Sequence, residues 1–158
     1  MEKGYLVDFD GVILDSQERF KYVMKDNTNF YDWMEYLSSI EWYSFLRKCN
    51  EIDDALTVLK KLEYLNRLKG IITAIHGFKE GKEKLIYLRE KGIHVPIIYT
   101  LPLQKKSEVY IPNENTILID DKIKNCVEWE LAGGKALLFD RNANEKDKGK
   151  IRTLKKLL

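Results

Sequence analysis

Hydrophobic and polar positions follow two patterns along this chain. Short apolar runs end at polar residues, whereas longer stretches repeat apolar residues at helical spacing. The first pattern is typical of buried parallel strands, and the second is typical of amphipathic helices. Strands are therefore predicted over 5–7, 70–75, 95–99, 116–119 and 136–139, and helices over 80–91, 125–131 and 145–158.

Residues 16–69 differ from the rest because they contain neither Gly nor Pro and repeat apolar residues at helical spacing throughout. This pattern predicts two to four helices, with breaks near 26–29 and 50–53. We interpret the segment as a helical subdomain inserted after the first strand. Strands that alternate with helices elsewhere predict an α/β fold, a doubly wound parallel sheet with helices on both faces. The predicted core is 1–15 with 70–158, and the predicted helical subdomain is 16–69.

Composition narrows the class of protein without naming an activity. The chain has 158 residues, 44% of them hydrophobic and 33% charged, with a formal net charge of +2. This length and composition predict one globular domain that needs no disulfide. A net charge so close to zero gives no general argument for binding nucleic acid or acidic membranes. Neither is therefore expected as a partner.

The cellular compartment is predicted from cysteine usage and from the missing apolar segments. Cys49 and Cys126 are far apart in sequence, and so few cysteines favour reduced thiols in the cytosol. The first residues reach two acids before any long apolar run, so no signal peptide is expected. No stretch approaches the roughly 20 apolar residues of a membrane span. The prediction is a cytoplasmic protein.

Chemically active side chains follow four of the predicted strands at their carboxyl ends. In an open parallel sheet these ends meet at one edge, where ligands bind. Several carboxylates at such an edge repel one another unless a cation lies between them, and hard oxygen ligands suit Mg²⁺. A lysine beside them adds a positive charge for a phosphoryl group. The side chains concerned are Asp8 and Asp10, Thr73, Lys105 and Lys106, and Asp120 and Asp121.

The order of these groups resembles the haloacid dehalogenase superfamily of phosphohydrolases. The first motif of that family is matched by the stretch from Asp8 to Val12, which reads Asp-Phe-Asp-Gly-Val after an apolar strand. Thr73 matches the second motif, Lys106 matches the third better than Lys105, and the pair at 120–121 matches the fourth. The family places a small helical cap where residues 16–69 lie.

One branch of the superfamily is more similar than the others. The stretch Leu-Ile-Asp-Asp-Lys at 118–122, with Asn125, Trp129 and the two glycines at 133–134, is similar to the 5′(3′)-deoxyribonucleotidase branch. The resemblance implies a nucleoside monophosphate as substrate, above all a deoxyribonucleotide.

The resemblance also implies a role for each motif residue. Asp8 is the expected nucleophile, and Asp10 is the expected general acid and then base. Asp8, Asp10 and Asp120 are the expected Mg²⁺ ligands, with Asp10 contributing its backbone carbonyl, and Asp121 is expected to support them. Relatives that break carbon–halogen bonds lack the acid at position 10, so phosphate ester hydrolysis is favoured. Thr73 is expected to donate a hydrogen bond to the phosphoryl group, and Lys106 to balance its charge.

Aromatic residues crowd the predicted cap, and some are candidates for the substrate pocket. Nine of the 18 aromatic residues lie between Phe20 and Phe45. They can form the core of a small subdomain, or one or two of them can stack on a nucleobase, as aromatic faces do for about 1–3 kcal/mol per base. The candidates for substrate binding are Phe30, Trp33, Trp42, His76 and Lys105.

Two alternatives to a nucleotidase stay open. The same chemistry can act on a sugar phosphate, another small metabolite or a polynucleotide end. The chain can also be a non-catalytic binding or regulatory protein on a borrowed fold. The presence of Asp8, Asp10 and Asp120 argues against the second alternative.

Overall fold

A computed structural model gives the fold, and it describes residues 2–21 and 29–158. Strands and helices alternate over most of this length, as the apolar pattern predicts. The predicted break near 26–29 and the aromatic residue Tyr22 lie wholly or partly outside the described residues. The strands are β1 (Gly4–Val7), β2 (Leu68–Ala74), β3 (Ile97–Thr100), β4 (Thr116–Asp120), β5 (Lys135–Phe139) and β6 (Lys150–Ile151).

The helices connect the strands or stand between β1 and β2. The longest, α5, has 13 residues, and no helix in the described ranges is long and apolar enough to cross a membrane. The helices are α1 (Ser16–Lys21), α2 (Phe30–Ser39), α3 (Trp42–Lys48), α4 (Ala55–Tyr64), α5 (Phe78–Glu90), α6 (Lys106–Val109) and α7 (Ile123–Leu131), followed by a 3₁₀ helix (Leu154–Leu157).

All neighbouring strands of the sheet are parallel, in the order β3-β2-β1-β4-β5-β6. The chain builds the sheet outward from β1 to β3, then returns to the other side of β1 and continues to β6. This reversal makes the space between β1 and β4 the point where an open α/β sheet leaves a crevice for ligands. The register pairs Val7 with Ile119, so the residues after the two strands lie side by side.

Each face of the sheet carries its own apolar layer. Alternate residues of a strand point to opposite faces, and in β1 Tyr5 and Val7 join the larger core while Leu6 joins the smaller one. The larger layer contains side chains from α4, α5 and the 3₁₀ helix. The smaller layer is built on Trp129 of α7. The predicted doubly wound α/β fold is therefore confirmed.

Helix α4 packs against the sheet although its sequence lies within the segment that we interpret as a cap. Its buried residues, among them Leu59 and Leu62, join the larger core together with residues of β1 and β2. The helices α1, α2 and α3 share an aromatic cluster around Phe20, whose ring stacks on that of Phe45 with centroids 5.0 Å apart, and α3 also places Leu46 in the larger core. The domain limits at 15–16 and 69–70 stay a prediction.

The predicted terminal helix over 145–158 is wrong. The described structure has the short edge strand β6 and one 3₁₀ turn there instead. Leu154 and Leu157 of that turn are buried in the larger core. Their spacing of three residues suits a 3₁₀ turn as well as an α-helix, so the sequence pattern did not distinguish the two.

We predict that Leu59→Ala lowers the free energy of unfolding by about 2–5 kcal/mol, because it leaves a cavity under the sheet. Tyr64→Ala on the same helix removes a side chain that is 91% exposed and is expected to change the free energy by less than about 0.5 kcal/mol. Urea unfolding measures both. Equal effects would contradict the placement of α4 in the core.

Candidate active site

Two carboxylates lie together at the carboxyl ends of the two central strands. Asp8 directly follows β1, and Asp120 ends β4. The backbone N–H of Asp8 donates to the carbonyl of Ile119 at 2.9 Å, which holds the two strand ends in register. Both carboxylates are buried, so water cannot screen their repulsion. The fold therefore creates a local excess of negative charge that needs a cation.

Lys106 supplies one positive charge to these carboxylates. Its Nζ lies 2.9 Å from Oδ1 of Asp8 and 2.5 Å from Oδ2 of Asp120, and the residue is only 6% exposed. Burial lowers the pKa of Lys106, but Asp8 and Asp120 raise it by more, and it stays charged. Lys105, one residue earlier, is exposed. Of the two lysines considered from the sequence, the structure brings Lys106 to the carboxylates.

Asp121 completes a group of three carboxylates. One oxygen from each of Asp8, Asp120 and Asp121 lies within 4.8 Å of the others. Burial raises the pKa of Asp8 well above its usual range, Lys106 counteracts it, and Asp120 and Asp121 raise it further. Burial and the charge of Asp120 also raise the pKa of Asp121. One lysine therefore does not neutralise the three acids.

These three carboxylates fit a divalent cation. Oδ1 of Asp121 is buried and has no hydrogen-bond partner among the residues that the structure describes, whereas buried polar atoms are normally paired. A set of carboxylate oxygens with positions left for water and phosphate suits Mg²⁺. Of the ligands implied by the resemblance, Asp8 and Asp120 belong to this set, and Asp121 joins them with its carboxylate.

Gly11 makes room for Asp121. Its φ of +79° lies in the left-handed region, which favours glycine. A Cβ built on Gly11 would overlap the carboxylate of Asp121. The turn after β1 thus needs glycine for its backbone and for the position of an acid that lies 110 residues later in the chain.

Asp10 faces a second set of partners. Ser16 Oγ donates to its Oδ1 at 2.6 Å, and Lys84 Nζ donates to its Oδ2 at 2.7 Å. Burial raises the pKa of Asp10, but the charge and hydrogen bond of Lys84 and the hydrogen bond of Ser16 outweigh it and lower the pKa. Asp10 is therefore held as an anion, with its carboxylate turned to Lys84.

Lys84 is the main feature that sequence reasoning missed. Its side chain is fully buried, and its Nζ also lies 3.0 Å from Oγ1 of Thr73, 3.1 Å from the carbonyl of Ala74 and 2.7 Å from Oε2 of Glu80, so with Asp10 its three N–H groups face four acceptors. Thr73 is itself buried at the end of β2. Lys84 thus contacts both Asp10 and Thr73. One signal was present in the sequence, because Lys84 shares the inward face of α5 with Leu88.

A cavity of about 630 Å³ opens above the strand ends. The core contributes one residue after each of four strands, and helices α1 and α2 contribute the opposite wall. Asp10 lines this cavity and follows Asp8 by two residues, so the cavity lies next to the group of Asp8, Asp120 and Asp121. Its lining includes Asp10, Gln17, Phe20, Trp33, His76 and Lys122.

Comparisons with known proteins identify the fold. No family model matches the sequence, and no curated protein is similar to it. The structure is similar to a HAD hydrolase, family IA, variant 3, from Entamoeba histolytica HM-1:IMSS, with a TM-score of 0.60 at 14% identity over 98% of this chain and 94% of that one. It is also similar to a HAD-superfamily hydrolase from Ehrlichia chaffeensis, with a TM-score of 0.58 at 13% identity over 99% and 95% of the two chains.

The chain has the haloacid dehalogenase fold. Both similarities are to hydrolases of the superfamily in general, and they do not distinguish the deoxyribonucleotidase branch. The strand order places four of the predicted site residues, Asp8, Thr73, Lys106 and Asp120, at one edge of the sheet. Asp8, Lys106 and Asp120 contact one another directly, and Asp10 reaches Thr73 through Lys84.

The five candidates for substrate binding occupy different places in this haloacid dehalogenase fold. Trp33 and His76 line the 630 Å³ cavity. Trp42 is buried against the rings of Phe20 in α1 and Phe45 in α3. Phe30 is 69% exposed, with its ring against Tyr31. The lining of this cavity does not include Trp42, Phe30 or the exposed Lys105.

We predict that Glu80→Gln weakens the pH dependence of stability in acid. Burial raises the pKa of Glu80, but His76 and Lys84 outweigh it and lower the pKa. An acid with a lowered folded pKa stabilises the protein above its unfolded pKa of about 4.3, and this contribution is lost as the pH falls further.

Urea unfolding between neutral pH and about pH 3 measures this effect. Glu80→Gln is expected to be less stable than the parent at neutral pH, and the difference should shrink below about pH 4.3. The exposed Glu114→Gln is the control. A difference that is constant with pH would contradict the prediction.

Proposed function

We propose that this chain is a Mg²⁺-dependent phosphatase that hydrolyses a phosphate monoester through an aspartyl-phosphate on Asp8. One observation carries the proposal. Asp8 and Asp120 flank the ammonium group of Lys106 at 2.9 and 2.5 Å, with Asp121 beside them, at the point where the strand order reverses. The fold likeness to two proteins named as hydrolases supports it.

In the first step, an oxygen of Asp8 attacks phosphorus, and the bond from phosphorus to the ester oxygen breaks. The leaving oxygen takes a proton from Asp10. Lys106 pairs with Asp8 before the attack and with the phosphoryl oxygens afterwards, so the positive charge stays while the negative charge moves. In the second step, water attacks phosphorus, Asp10 takes its proton, and the bond to Asp8 breaks to release phosphate.

The contacts of Asp10 suit its proposed role as the general base of the second step. Ser16 and Lys84 both stabilise its anion. To act as the general acid of the first step, Asp10 must first take up a proton, and protonation breaks its ion pair with Lys84. Thr73 accepts a hydrogen bond from Lys84, and its own hydroxyl hydrogen, which faces the carbonyl of Ala74 at 3.4 Å, would donate to a phosphoryl oxygen.

The carboxylates of Asp8, Asp120 and Asp121 would hold Mg²⁺. When bound, Mg²⁺ supplies charge neutralisation that lets an anionic ester approach an anionic nucleophile. The orphaned oxygen of Asp121 and the raised pKa values of Asp8 and Asp121 support this assignment.

A nucleoside monophosphate, above all a deoxyribonucleotide, is the proposed substrate. The cavity next to Asp10 has aromatic walls from Phe20 and Trp33, and aromatic faces stack on nucleobases. Lys122 and Gln17 add polar groups to the same cavity. A volume of about 630 Å³ is within the range for a drug-sized ligand.

We predict that the parent releases phosphate from deoxyribonucleoside monophosphates when Mg²⁺ is present and not after its chelation. Asp8→Asn should abolish release, because an amide cannot form the phosphoryl intermediate. Asp15→Asn, on the same loop and paired with Arg141 instead, should keep the activity. A colorimetric phosphate assay measures the rate, and hydroxylamine trapping after rapid quench tests for the acyl phosphate.

A panel of esters separates the substrate classes in the same assay. Faster turnover of sugar phosphates, other small metabolites or polynucleotide ends would contradict the nucleotide assignment. No release from any ester, with Asp8→Asn and the parent alike, would contradict catalysis and favour a binding protein. Asp8→Asn removes one buried acid from a crowded group, so it is expected to fold at least as stably as the parent.

We also predict that Lys106→Met lowers kcat/KM by about 100-fold or more, because the developing charge on phosphate then lacks its buried cation. Lys105→Met is the matched control, since the neighbouring side chain is exposed and its loss should change kcat/KM less than about twofold. Steady-state kinetics on both variants measures the effect. A larger loss of kcat/KM in Lys105→Met than in Lys106→Met would assign the third motif to Lys105.

A further inference from the structure

A chain of polar groups leads from Asp10 to His76 through the buried side chains of Lys84 and Glu80. Lys84 Nζ lies 2.7 Å from Oδ2 of Asp10 and 2.7 Å from Oε2 of Glu80. The other oxygen of Glu80 lies 3.0 Å from the backbone nitrogen of His76 and 2.9 Å from its ring Nδ1. Glu80 is only 3% exposed. Two of these links bind His76 to one carboxylate oxygen, so its backbone and its ring are fixed together.

The carboxylate decides which ring nitrogen of His76 carries the proton. An ionised Glu80 can only accept hydrogen bonds, so the nitrogen that faces it, Nδ1, must be the donor. In the neutral ring the remaining nitrogen, Nε2, is then an acceptor. Within the described part of the chain, Nε2 makes no hydrogen bond. His76 therefore has one acceptor to offer to another molecule.

The ring lies at the boundary between cap and core. His76 lines the 630 Å³ cavity together with Asp10, and it also lines a second cavity of about 400 Å³ beside Trp42. The indole of Trp33 meets the imidazole edge-on, with centroids 6.1 Å apart and the planes at 89°. Glu80 holds the ring from the core side, and Trp33 packs against it from the cap side.

We propose that His76 selects the leaving group of the substrate by accepting a hydrogen bond at Nε2 from its hydroxyl or N–H donor, with Glu80 and Lys84 as positioning residues. The inference rests on the proposed function and narrows its substrate class. The preferred ester has a leaving group with a flat ring for Trp33 and a donor for His76. Nucleoside monophosphates carry both, in their bases and sugar hydroxyls.

The kinetic test compares the two histidines of the chain. His76→Ala should raise KM for deoxyribonucleoside monophosphates about tenfold, the loss of one hydrogen bond, and leave kcat within about twofold. Phenyl phosphate, which has a ring and no donor, should be turned over equally by parent and variant. His94→Ala, at an exposed position outside the cavity lining, should match the parent on both esters. His76→Gln keeps an acceptor oxygen and should recover part of the affinity.

Binding and spectroscopy test the same idea without catalysis. Thymidine should bind the parent about tenfold more tightly than His76→Ala, measured by calorimetry. Long-range ¹H–¹⁵N correlation spectra of the free protein should show His76 protonated at Nδ1. In Glu80→Gln, an N–H₂ group replaces one oxygen, so the side chain cannot accept from Lys84 and also from the backbone N–H and Nδ1 of His76, and the ring loses its fixed orientation. That variant should lose the preference for nucleotides although its histidine is intact.

The outcomes separate the inference from the proposed function. Equal loss on nucleotides and phenyl phosphate in His76→Ala, or an Nε2-protonated ring in the parent, overturns the role of His76 and leaves the phosphatase intact. No turnover of any ester by the parent overturns the proposed function. In that case unchanged thymidine binding in His76→Ala would also overturn the inference.

Discussion

Three carboxylates lie close together at one edge of the sheet, and the rest of the site depends on how their negative charge is balanced. Parallel pairing of β1 with β4 forces Asp8 and Asp120 together, and burial removes the water that would screen them. Buried charges persist only when they are paired. Two buried lysines supply positive charge from different helices between the strands, Lys106 from α6 and Lys84 from α5. Among the described residues the third acid, Asp121, has no lysine partner, and this imbalance is what a divalent cation would correct.

The sheet and the motif positions could be predicted from the sequence because they depend on local signals. Short apolar runs identify the strands, and a parallel sheet brings every strand end to one edge whatever the connecting chain does. The choice of Lys106 over Lys105 could only be ranked, since adjacent residues point in different directions and the backbone at the start of α6 decides between them. Sequence reasoning named Asp121 as a supporting residue, and helical spacing places Lys84 on the inward face of α5, but the contacts of both residues join positions far apart in sequence, and no local pattern identifies such partners.

The helical segment between β1 and β2 shows a similar limit of sequence-based prediction. Aromatic composition correctly pointed to a cluster between residues 20 and 45, and rings from α1, α2 and α3 do pack together. Composition could not tell which rings fill that cluster and which border the cavity, because both uses require large apolar surfaces. Trp42 and Trp33 differ in burial only through the relative placement of their helices. In the same way, α4 shares the helical apolar spacing of its neighbours in sequence but packs on the sheet.

The pairing of Lys84 with two anions explains how a buried lysine can tolerate the proposed chemistry. In that mechanism Asp10 alternates between a protonated and an ionised form. With Asp10 as its only partner, Lys84 would become an unpaired buried cation each time Asp10 took up a proton, and that state is strongly unfavourable. Glu80 is a second, permanent partner at 2.7 Å. Because Glu80 also holds His76, the residue that would make proton uptake by Asp10 tolerable also orients a side chain in the wall of the 630 Å³ cavity.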